Sequence, residues 1–243
     1  MNIIIDQGNT ATKVALFENG VQKLRLKFAD FTVKDFLKLK EVYVFEAGIL
    51  SSVRQDVDAA LVACLRNAIP SFLFFDDTLR LPIEIAYETP QTLGKDRIAA
   101  VVGATYKYPG QNLLIIDAGT AITYEVVEAS GRYVGGNISP GLNTRFRALH
   151  DYTDLLPLEK EGDDIPLIGT STHTAIQAGV VNGIVYEIDG YIDSLSREYP
   201  GLLVFLTGGH SIYFESRLKN CIFADTNLVM IGLNRLIDYN AEI

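Results

Sequence analysis

The same short pattern occurs twice in this chain. Residues 3–12 read IIIDQGNTAT, and residues 114–123 read LIIDAGTAIT. In each copy an apolar strand leads into an aspartate, a glycine follows two positions later, and hydroxyl or amide side chains precede a second strand. The pattern predicts two similar β-hairpins. The chain is therefore expected to contain two units of related topology.

Each predicted hairpin carries groups that suit a phosphate and a cation. A glycine beside the turn lets backbone amides approach an anion closely. Asp6 and Asp117 end their strands, where a carboxylate can hold a hydrated cation. Further donors to phosphate oxygens come from the side chains of Asn9, Thr10, Lys13, Thr120 and Thr123. A lone Asp-x-Gly is usually an ordinary turn, but repetition of the whole pattern favours phosphate chemistry.

Composition excludes several classes of protein. The net charge of −9 and the pI of about 4.8 argue against a nucleic-acid or anionic-membrane surface, since either needs clustered Lys and Arg. Cys64 and Cys221 lie far apart, so neither a disulfide framework nor a zinc site is indicated. No signal peptide and no stretch long enough to span a bilayer is predicted. We expect a cytoplasmic protein that binds neither membrane nor nucleic acid.

Hydrophobic periodicity predicts strands and helices that alternate along both halves of the chain. Strands are expected at residues 21–28, 42–45, 72–75, 113–117, 121–127, 132–138 and 202–206. Helices are expected from a cap at Asp30 to Leu39 and at residues 57–68, 96–106, 142–150, 172–195 and 228–237. The restart of the order predicts two domains, 1–112 and 113–243. The long helix has Gly179 and Gly183 in its apolar stripe, which could pack on its own sheet or on a second copy of the chain.

A charged cluster, Gly94-Lys95-Asp96-Arg97, stands at a predicted helix start. A solvated helix cap is one interpretation. The other is chemical: Asp96 can accept a hydroxyl proton while the Arg97 fork holds a carboxylate or phosphate. Two glycine-containing loops, 135–141 and 207–209, are either tight connections or surfaces that lie against a ligand.

Other enzyme signatures are missing from the sequence. It contains no Walker A motif, no Gly-x-Ser-x-Gly elbow and no Gly-x-Gly-x-x-Gly fingerprint. The three histidines, His150, His173 and His210, are scattered and do not indicate a metal site.

Taken in order, the motifs resemble those of type III pantothenate kinase, a family of the acetate and sugar kinase, Hsp70 and actin superfamily. The residues that carry the resemblance are Asp6-x-Gly8-Asn9-Thr10-x-x-Lys13, Gly94-x-Asp96-Arg97, Asp117-x-Gly119-Thr120-Ala121-x-Thr123, Gly135-Gly136-x-Ile138-x-Pro140-Gly141 and Thr207-Gly208-Gly209. The resemblance implies an α/β fold with two ribonuclease H-like domains and an ATP cleft between them. It also implies ATP-dependent phosphorylation of the pantothenate 4′-hydroxyl, the first step of coenzyme A synthesis.

The same resemblance implies a role for individual residues. Asp96 would be the general base, Asp117 would bind a monovalent cation such as potassium or ammonium, and Asp6 would lie near magnesium. ATP would contact Asp6, Gln7, Gly8, Asn9, Thr10, Ala11, Thr12, Lys13 and Thr120. Pantothenate would contact Tyr87, Gly94, Lys95, Asp96, Arg97 and Thr172. The family is dimeric, which suits a glycine-bearing helix.

Two positions depart from the family pattern. Glu125 stands where the family usually has Asp, which places a metal contact there in question. Arg54 and Gln55 follow Ser51-Ser52-Val53, where the family commonly has a proline; this change is expected to alter only a loop. The alternative functions are another small-molecule kinase of the superfamily, or a non-catalytic ATP-binding regulatory relative.

Overall fold

A computed structural model describes residues 1–54 and 56–241 of the chain. It divides into two compact units. The first contains Met1–Tyr108 and the segment that begins at Asn227, and the second contains Pro109–Thr226.

Strands and helices alternate in both units. The strands are β1 (Asn2–Gln7), β2 (Thr12–Glu18), β3 (Val21–Phe28), β4 (Ala47–Ser52), β5 (Ser71–Phe74), β6 (Glu84–Ile85), β7 (Leu113–Ala118), β8 (Ala121–Val127), β9 (Arg132–Pro140), β10 (Leu203–Thr207) and β11 (Phe223–Ala224). The helices are α1 (Val33–Val42), α2 (Ala59–Ala68), α3 (Lys95–Lys107), α4 (Leu142–Asp151), α5 (Thr172–Glu198), α6 (Ser211–Glu215) and α7 (Leu228–Ala241).

The two units have the same strand topology. In the first unit the strands lie side by side in the order β3-β2-β1-β4-β5, and in the second the order β9-β8-β7-β10-β11 matches it strand for strand. The first strand of each unit pairs antiparallel with the second and parallel with the fourth. The prediction of two related α/β units, each opened by a copy of the repeated hairpin, is confirmed.

The sheet of the first unit separates two layers of helices. Ile3, Ile5 and Leu50 face α1 and α2 and form one core cluster with Phe36 and Leu61. Because side chains alternate along a strand, the residues between them face the other side, where α3 and α7 pack. Helix α7 also ties to this face through a hydrogen bond of 2.9 Å from the side chain of Asn2 to that of Asn234.

Helices α3 and α7 approach each other at backbone distance. A methyl group added at Gly103 would overlap the carbonyl of Leu228, and one added at Gly232 would overlap the carbonyl of Ala99. Only glycine at both positions permits this packing. It also explains why the predicted domain 113–243 differs from the structure: α7 returns to the first unit and packs on α3.

Two local predictions were wrong. The predicted strand at 42–45 is instead the end of α1 and a connecting segment, because Tyr43 and Phe45 alternate into the core without joining the sheet. Strand β4 begins at Ala47, which pairs with Asn2 of β1. The cap of α1 is Thr32 rather than Asp30, since Thr32 and Asp35 form a reciprocal capping box.

A polar network joins α4, α5 and the sheet of the second unit. Glu187 accepts hydrogen bonds from Tyr124 and Ser139 and pairs with Arg145. Burial raises the pKa of the Glu187 carboxyl, but the hydrogen bonds outweigh burial and hold this pKa below its ordinary value. Glu187 therefore stabilises the fold in its charged form.

The contact between α3 and α7 predicts a severe effect of Gly232→Ala. The added methyl would overlap the Ala99 carbonyl, so the helices must separate at a cost of about 3 kcal/mol or more. The matched control is Gly209→Ala, whose methyl meets no atom of the described residues within 4 Å and should change stability by less than about 1 kcal/mol. Urea unfolding of both variants measures the difference, and equal stabilities would contradict the close packing.

Replacing Glu187 by Gln should lower stability by about 1–3 kcal/mol at neutral pH, because charge-assisted hydrogen bonds are lost. A lowered native pKa means that the contribution is complete above the ordinary value of 4.5 and disappears as the pH falls through the lowered pKa. The difference between wild type and variant should therefore shrink progressively as the pH is lowered below 4.5. Urea unfolding across this range tests it, with the exposed Glu215→Gln as control; a difference independent of pH would contradict it.

Candidate functional site

The first repeated hairpin places Asp6 and Lys13 side by side. The two residues are direct partners in the antiparallel ladder of β1 and β2, and the Lys13 Nζ lies 4.0 Å from an Asp6 carboxylate oxygen. Asp6 is only 4 % exposed. Because Asp6 alternates with Ile3 and Ile5, both side chains lie on the sheet face that α3 and α7 cover.

The turn of this hairpin is closed by its own backbone. The Gly8 N–H donates to the Ala11 carbonyl at 3.1 Å, and the side chains of Asn9 and Thr10 are exposed at the tip. Gln7 and Thr12, for which the family resemblance implies contact with ATP, have buried side chains. The tip therefore offers a ligand two polar side chains, and the strand residues beside it support the turn.

The Gly94–Arg97 cluster lies at the start of α3, as its sequence predicted. Gly94 is the N-cap, and an Asp96 carboxylate oxygen accepts a hydrogen bond of 2.9 Å from the Arg97 N–H. A Cβ at Gly94 would stand 2.6 Å from that same oxygen, so glycine leaves room for the carboxylate. Arg97 is 7 % exposed, and its guanidinium lies 5.7 Å from the centre of the Tyr87 ring.

Lys95 has a different environment from its neighbours. Its ammonium forms an ion pair with Asp77 and lies 5.6 Å from the centre of the Phe75 ring. It lines a cavity of about 240 Å³ whose wall includes Phe75, Asp77, Leu79 and Ile98. The lysine thus connects the first turn of α3 to the segment after β5.

The second hairpin also has a turn that is closed by its own backbone, but this turn is one residue shorter than the first. The Gly119 N–H donates to the Ala121 carbonyl at 3.1 Å, Asp117 is half-buried, and Thr120 is exposed. The Thr120 carbonyl accepts hydrogen bonds from the Gly141 N–H at 3.0 Å and from the Thr144 hydroxyl at 2.7 Å.

The predicted loop at 135–141 is mostly strand, because β9 extends to Pro140 and pairs with β8, so that only Gly141 connects β9 to α4. Gly141 and the predicted loop 207–209 both support the second hairpin. Gly208 has a φ of +96°, and a Cβ there would overlap the Asp117 carboxylate and the Ala118 backbone. A Cβ at Gly141 would stand 2.5 Å from the Thr120 carbonyl oxygen. Gly141 after β9 and Gly208 after β10 therefore approach the hairpin through backbone alone, which only glycine allows.

Glu125 is buried in β8 and its carboxylate accepts a hydrogen bond from the Tyr133 hydroxyl. The extra methylene relative to Asp is thus accommodated within the sheet by a tyrosine. Thr172 is the first residue of α5 and is exposed, next to the N-cap Ser171.

The exposed side of α5 carries the glycine stripe. A Cβ added at Gly179 or Gly190 would meet no atom of the described residues within 4 Å, and one at Gly183 would meet only an Arg145 side-chain nitrogen, at 3.8 Å. Tyr186 in the same stripe is 60 % exposed. The apolar residues of the predicted stripe, Ile176, Val180, Ile184 and Ile188, do pack in the core of their own unit, whereas its glycine positions are left uncovered.

The hairpin carboxylates suit a metal that is held partly by a substrate. Within residues 1–54 and 56–241, no group of three or more His, Cys, Asp or Glu side chains could hold a metal ion. Magnesium is commonly bound by one or two carboxylates together with substrate phosphates and water. The single buried carboxylate of Asp6 beside a phosphate-type turn fits that mode of binding.

One residue of this region had no predicted role. The Arg54 Nε donates to the Gly8 carbonyl at 2.9 Å, so an arginine from the segment after β4 contacts the turn of the first hairpin. Its departure from the family pattern was visible in the sequence, but its direction and its partner depend on the pairing of β4 with β1.

None of the helices described by the structure is long and apolar enough to cross a membrane.

Among solved structures, the chain is similar to a Campylobacter jejuni protein assigned to the Baf family of transcriptional activators, with a TM-score of 0.65 and 19 % identity over 99 % of this chain and 100 % of that one. It is equally similar in fold to a Sinorhizobium meliloti protein assigned as a 2-dehydro-3-deoxygalactonokinase, with a TM-score of 0.65 and 11 % identity over the full length of both chains.

Similarity in sequence is much higher to curated relatives. The type III pantothenate kinase of Bacteroides fragilis strain YCH46 is 46 % identical over 99 % of this chain and 98 % of its own length. That of Phocaeicola vulgatus is 42 % identical over the full length of both. The family model for type III pantothenate kinase matches residues 2–194. With the repeated hairpins and the Gly-x-Asp-Arg helix start in place, these matches show that the chain belongs to the type III pantothenate kinase family.

Proposed function

We propose that this enzyme transfers the γ-phosphoryl group of ATP to the 4′-hydroxyl of pantothenate, giving ADP and 4′-phosphopantothenate for coenzyme A synthesis. The observation that carries the proposal is the full-length match to the family together with Gly94, Asp96 and Arg97 at the start of α3. No repeat elsewhere in the chain duplicates this cluster. The cluster of Gly94, Asp96 and Arg97 supplies the groups that act on the phosphoryl acceptor, pantothenate.

Asp96 is proposed as the general base. One of its oxygens already accepts the Arg97 N–H, which holds the carboxylate in the first turn of α3 and leaves the other oxygen for a substrate hydroxyl. The carboxylate does not need to deprotonate the alcohol beforehand, because the transition state of phosphoryl transfer is loose and the proton leaves late. The Arg97 guanidinium and Tyr87 are proposed to bind pantothenate, at its carboxylate and along the rest of the molecule.

The first hairpin is proposed to hold the phosphates of ATP. The exposed tip supplies Asn9 and Thr10, and Lys13 supplies a positive charge beside Asp6. Magnesium bound at Asp6 would neutralise charge on the phosphates. Gln7, Gly8, Ala11 and Thr12 contribute through the backbone and the support of the turn, since Gln7 and Thr12 are buried.

Three residues of the second unit and Lys95 of the first complete the proposal. Thr120 is proposed to contact ATP, and Asp117 to bind potassium or ammonium. The exposure of Thr120 at the hairpin tip supports the first role, and the half-buried carboxylate of Asp117 supports the second. Thr172 and Lys95 are proposed to contact pantothenate from α5 and α3, although the ion pair with Asp77 makes Lys95 the less available of the two.

The enzyme is proposed to act as a cytoplasmic homodimer. The uncovered stripe of α5 supports this, because small residues let a second helix approach closely. Exposed large apolar side chains are also concentrated in the second unit, at Ile138, Tyr152, Leu155, Leu158, Leu167, Ile168 and Tyr186.

Asp96→Asn tests the catalytic assignment. Asparagine keeps the size of the side chain but cannot accept the hydroxyl proton, so kcat should fall by about 10²–10⁴-fold with little change in stability. The measurement is formation of 4′-phosphopantothenate from pantothenate and magnesium-ATP with potassium present. The control Asp154→Asn changes an exposed carboxylate outside the cluster and should leave kcat unchanged. Wild-type activity in Asp96→Asn would contradict the assignment.

The alternatives make different predictions in the same assays. A panel of sugar and acyl acceptors would reveal another small-molecule kinase. If the protein is a non-catalytic regulator, its Asp96→Asn variant would still restore growth of a strain that lacks pantothenate kinase. We expect rescue by the wild type only.

Gly179→Arg tests the dimer. A Cβ at this position meets no atom of the described residues within 4 Å, so the fold should persist while the helix stripe can no longer approach a second copy. Sedimentation should show a dimer for the wild type and a monomer for the variant. Ser196→Arg, on another side of α5, should remain dimeric. A wild-type monomer, or a Gly179→Arg dimer, would contradict the proposal.

A further inference from the structure

Arg54 connects three parts of the first unit. Its Nε donates to the Gly8 carbonyl at 2.9 Å, one terminal nitrogen donates to the Asp30 carboxylate at 2.8 Å, and the other lies 3.4 Å from the Thr12 hydroxyl. The backbone N–H of Arg54 donates to the Ser52 hydroxyl at 3.1 Å, which fixes the start of the side chain. The two contacts of the guanidinium with the first hairpin, to Gly8 and to Thr12, both lie beside the turn.

The contact with Gly8 determines how the next peptide group is oriented. A trans peptide is planar, so the Gly8 carbonyl and the Asn9 N–H point in opposite directions. With the carbonyl held toward Arg54, the Asn9 N–H points away from Arg54, at the tip of the turn. Glycine at position 8 has no Cβ to restrict rotation of this peptide, so the orientation needs an external contact.

The second hairpin supports its turn with different residues. There the carbonyl of Thr120 is held by the Gly141 N–H and the Thr144 hydroxyl, from the loop and helix that follow β9. In the first unit the contact on the turn carbonyl of Gly8 comes from a charged side chain. A charge-assisted hydrogen bond is stronger than a neutral one, and it places a positive charge beside the turn.

A surface ion pair alone is the simpler interpretation, since Asp30 is 68 % exposed and exposed pairs contribute little. It accounts for the Asp30 contact only. It does not explain why the Nε is directed to a backbone carbonyl and the second terminal nitrogen to a buried threonine, Thr12, of the same turn.

We propose that Arg54 is a positioning residue for ATP binding. It holds the Gly8–Asn9 peptide so that the Asn9 N–H points toward the ATP phosphates. Arg54 itself does not touch the reacting atoms. The inference rests on the proposed role of the first hairpin in ATP binding. It assigns a function to the position at which the chain departs from the family pattern, a change expected from sequence to alter only a loop.

Arg54→Met tests the proposal, because methionine retains much of the aliphatic length and loses the fork. KM for ATP should rise about tenfold, as expected for the loss of one charge-assisted hydrogen bond, while KM for pantothenate and Tm stay close to wild type. Arg54→Lys keeps the charge but not the Nε donor, and should show most of the same rise. Asp30→Asn, which changes only the outer partner, should raise KM for ATP by about twofold.

The matched control is Arg25→Met, an arginine of the same unit that donates to the Asn227 side chain at 2.8 Å. It should leave KM for ATP unchanged. Binding of a non-hydrolysable ATP analogue by calorimetry should weaken in Arg54→Met by the same factor as KM. An unchanged KM and unchanged binding in Arg54→Met would overturn the proposal, as would wild-type behaviour of Arg54→Lys or an equal rise in both KM values. An inactive wild type that still binds the analogue more tightly than Arg54→Met would refute the kinase assignment and leave this inference standing.

Discussion

The backbone contact between α3 and α7 is the constraint on which the first unit depends. Gly103 and Gly232 let the two helices approach so closely that a methyl group on either would overlap a carbonyl of the other helix. This pair covers the sheet face that carries Asp6 and Lys13. Since Asp96 and Arg97 are in the first turn of α3, the position of the proposed base depends on the packing of Gly103, two turns further along α3, against Gly232 of α7.

The two hairpins show how a duplicated element acquires different surroundings. Their strands and sheet positions correspond, while the turn is formed by residues 8–11 in the first and by the shorter segment 119–121 in the second. Their surroundings differ, because the first turn is held by an arginine from the segment after β4, and the second by a glycine N–H, a threonine hydroxyl and a glycine of positive φ. The first also has a lysine across from its aspartate, where the second has Thr123. The difference in charge is consistent with a phosphate site in one and a cation site in the other.

Much of the site could be predicted from local sequence. The hairpins, the helix that begins at Gly94 and the order of strands follow from periodicity, glycine positions and charged residues that are adjacent in the chain. The predicted strand at 42–45 was wrong because Tyr43 and Phe45 alternate like a strand while packing into the core from a connecting segment. At Arg54 the sequence predicts no more than a changed loop, because its partners, Gly8 and Asp30, are distant along the chain.

By itself, the sequence determined the family, the repeated topology and the residues proposed for catalysis, because each is written in short contiguous motifs. The tertiary structure decided three things that depend on pairs distant along the chain. It placed α7 in the first unit, it left the glycine stripe of α5 uncovered, and it directed Arg54 to the turn of the first hairpin. The physical reason is common to all three: a backbone approach or a side-chain contact exists only after the strands and helices have packed.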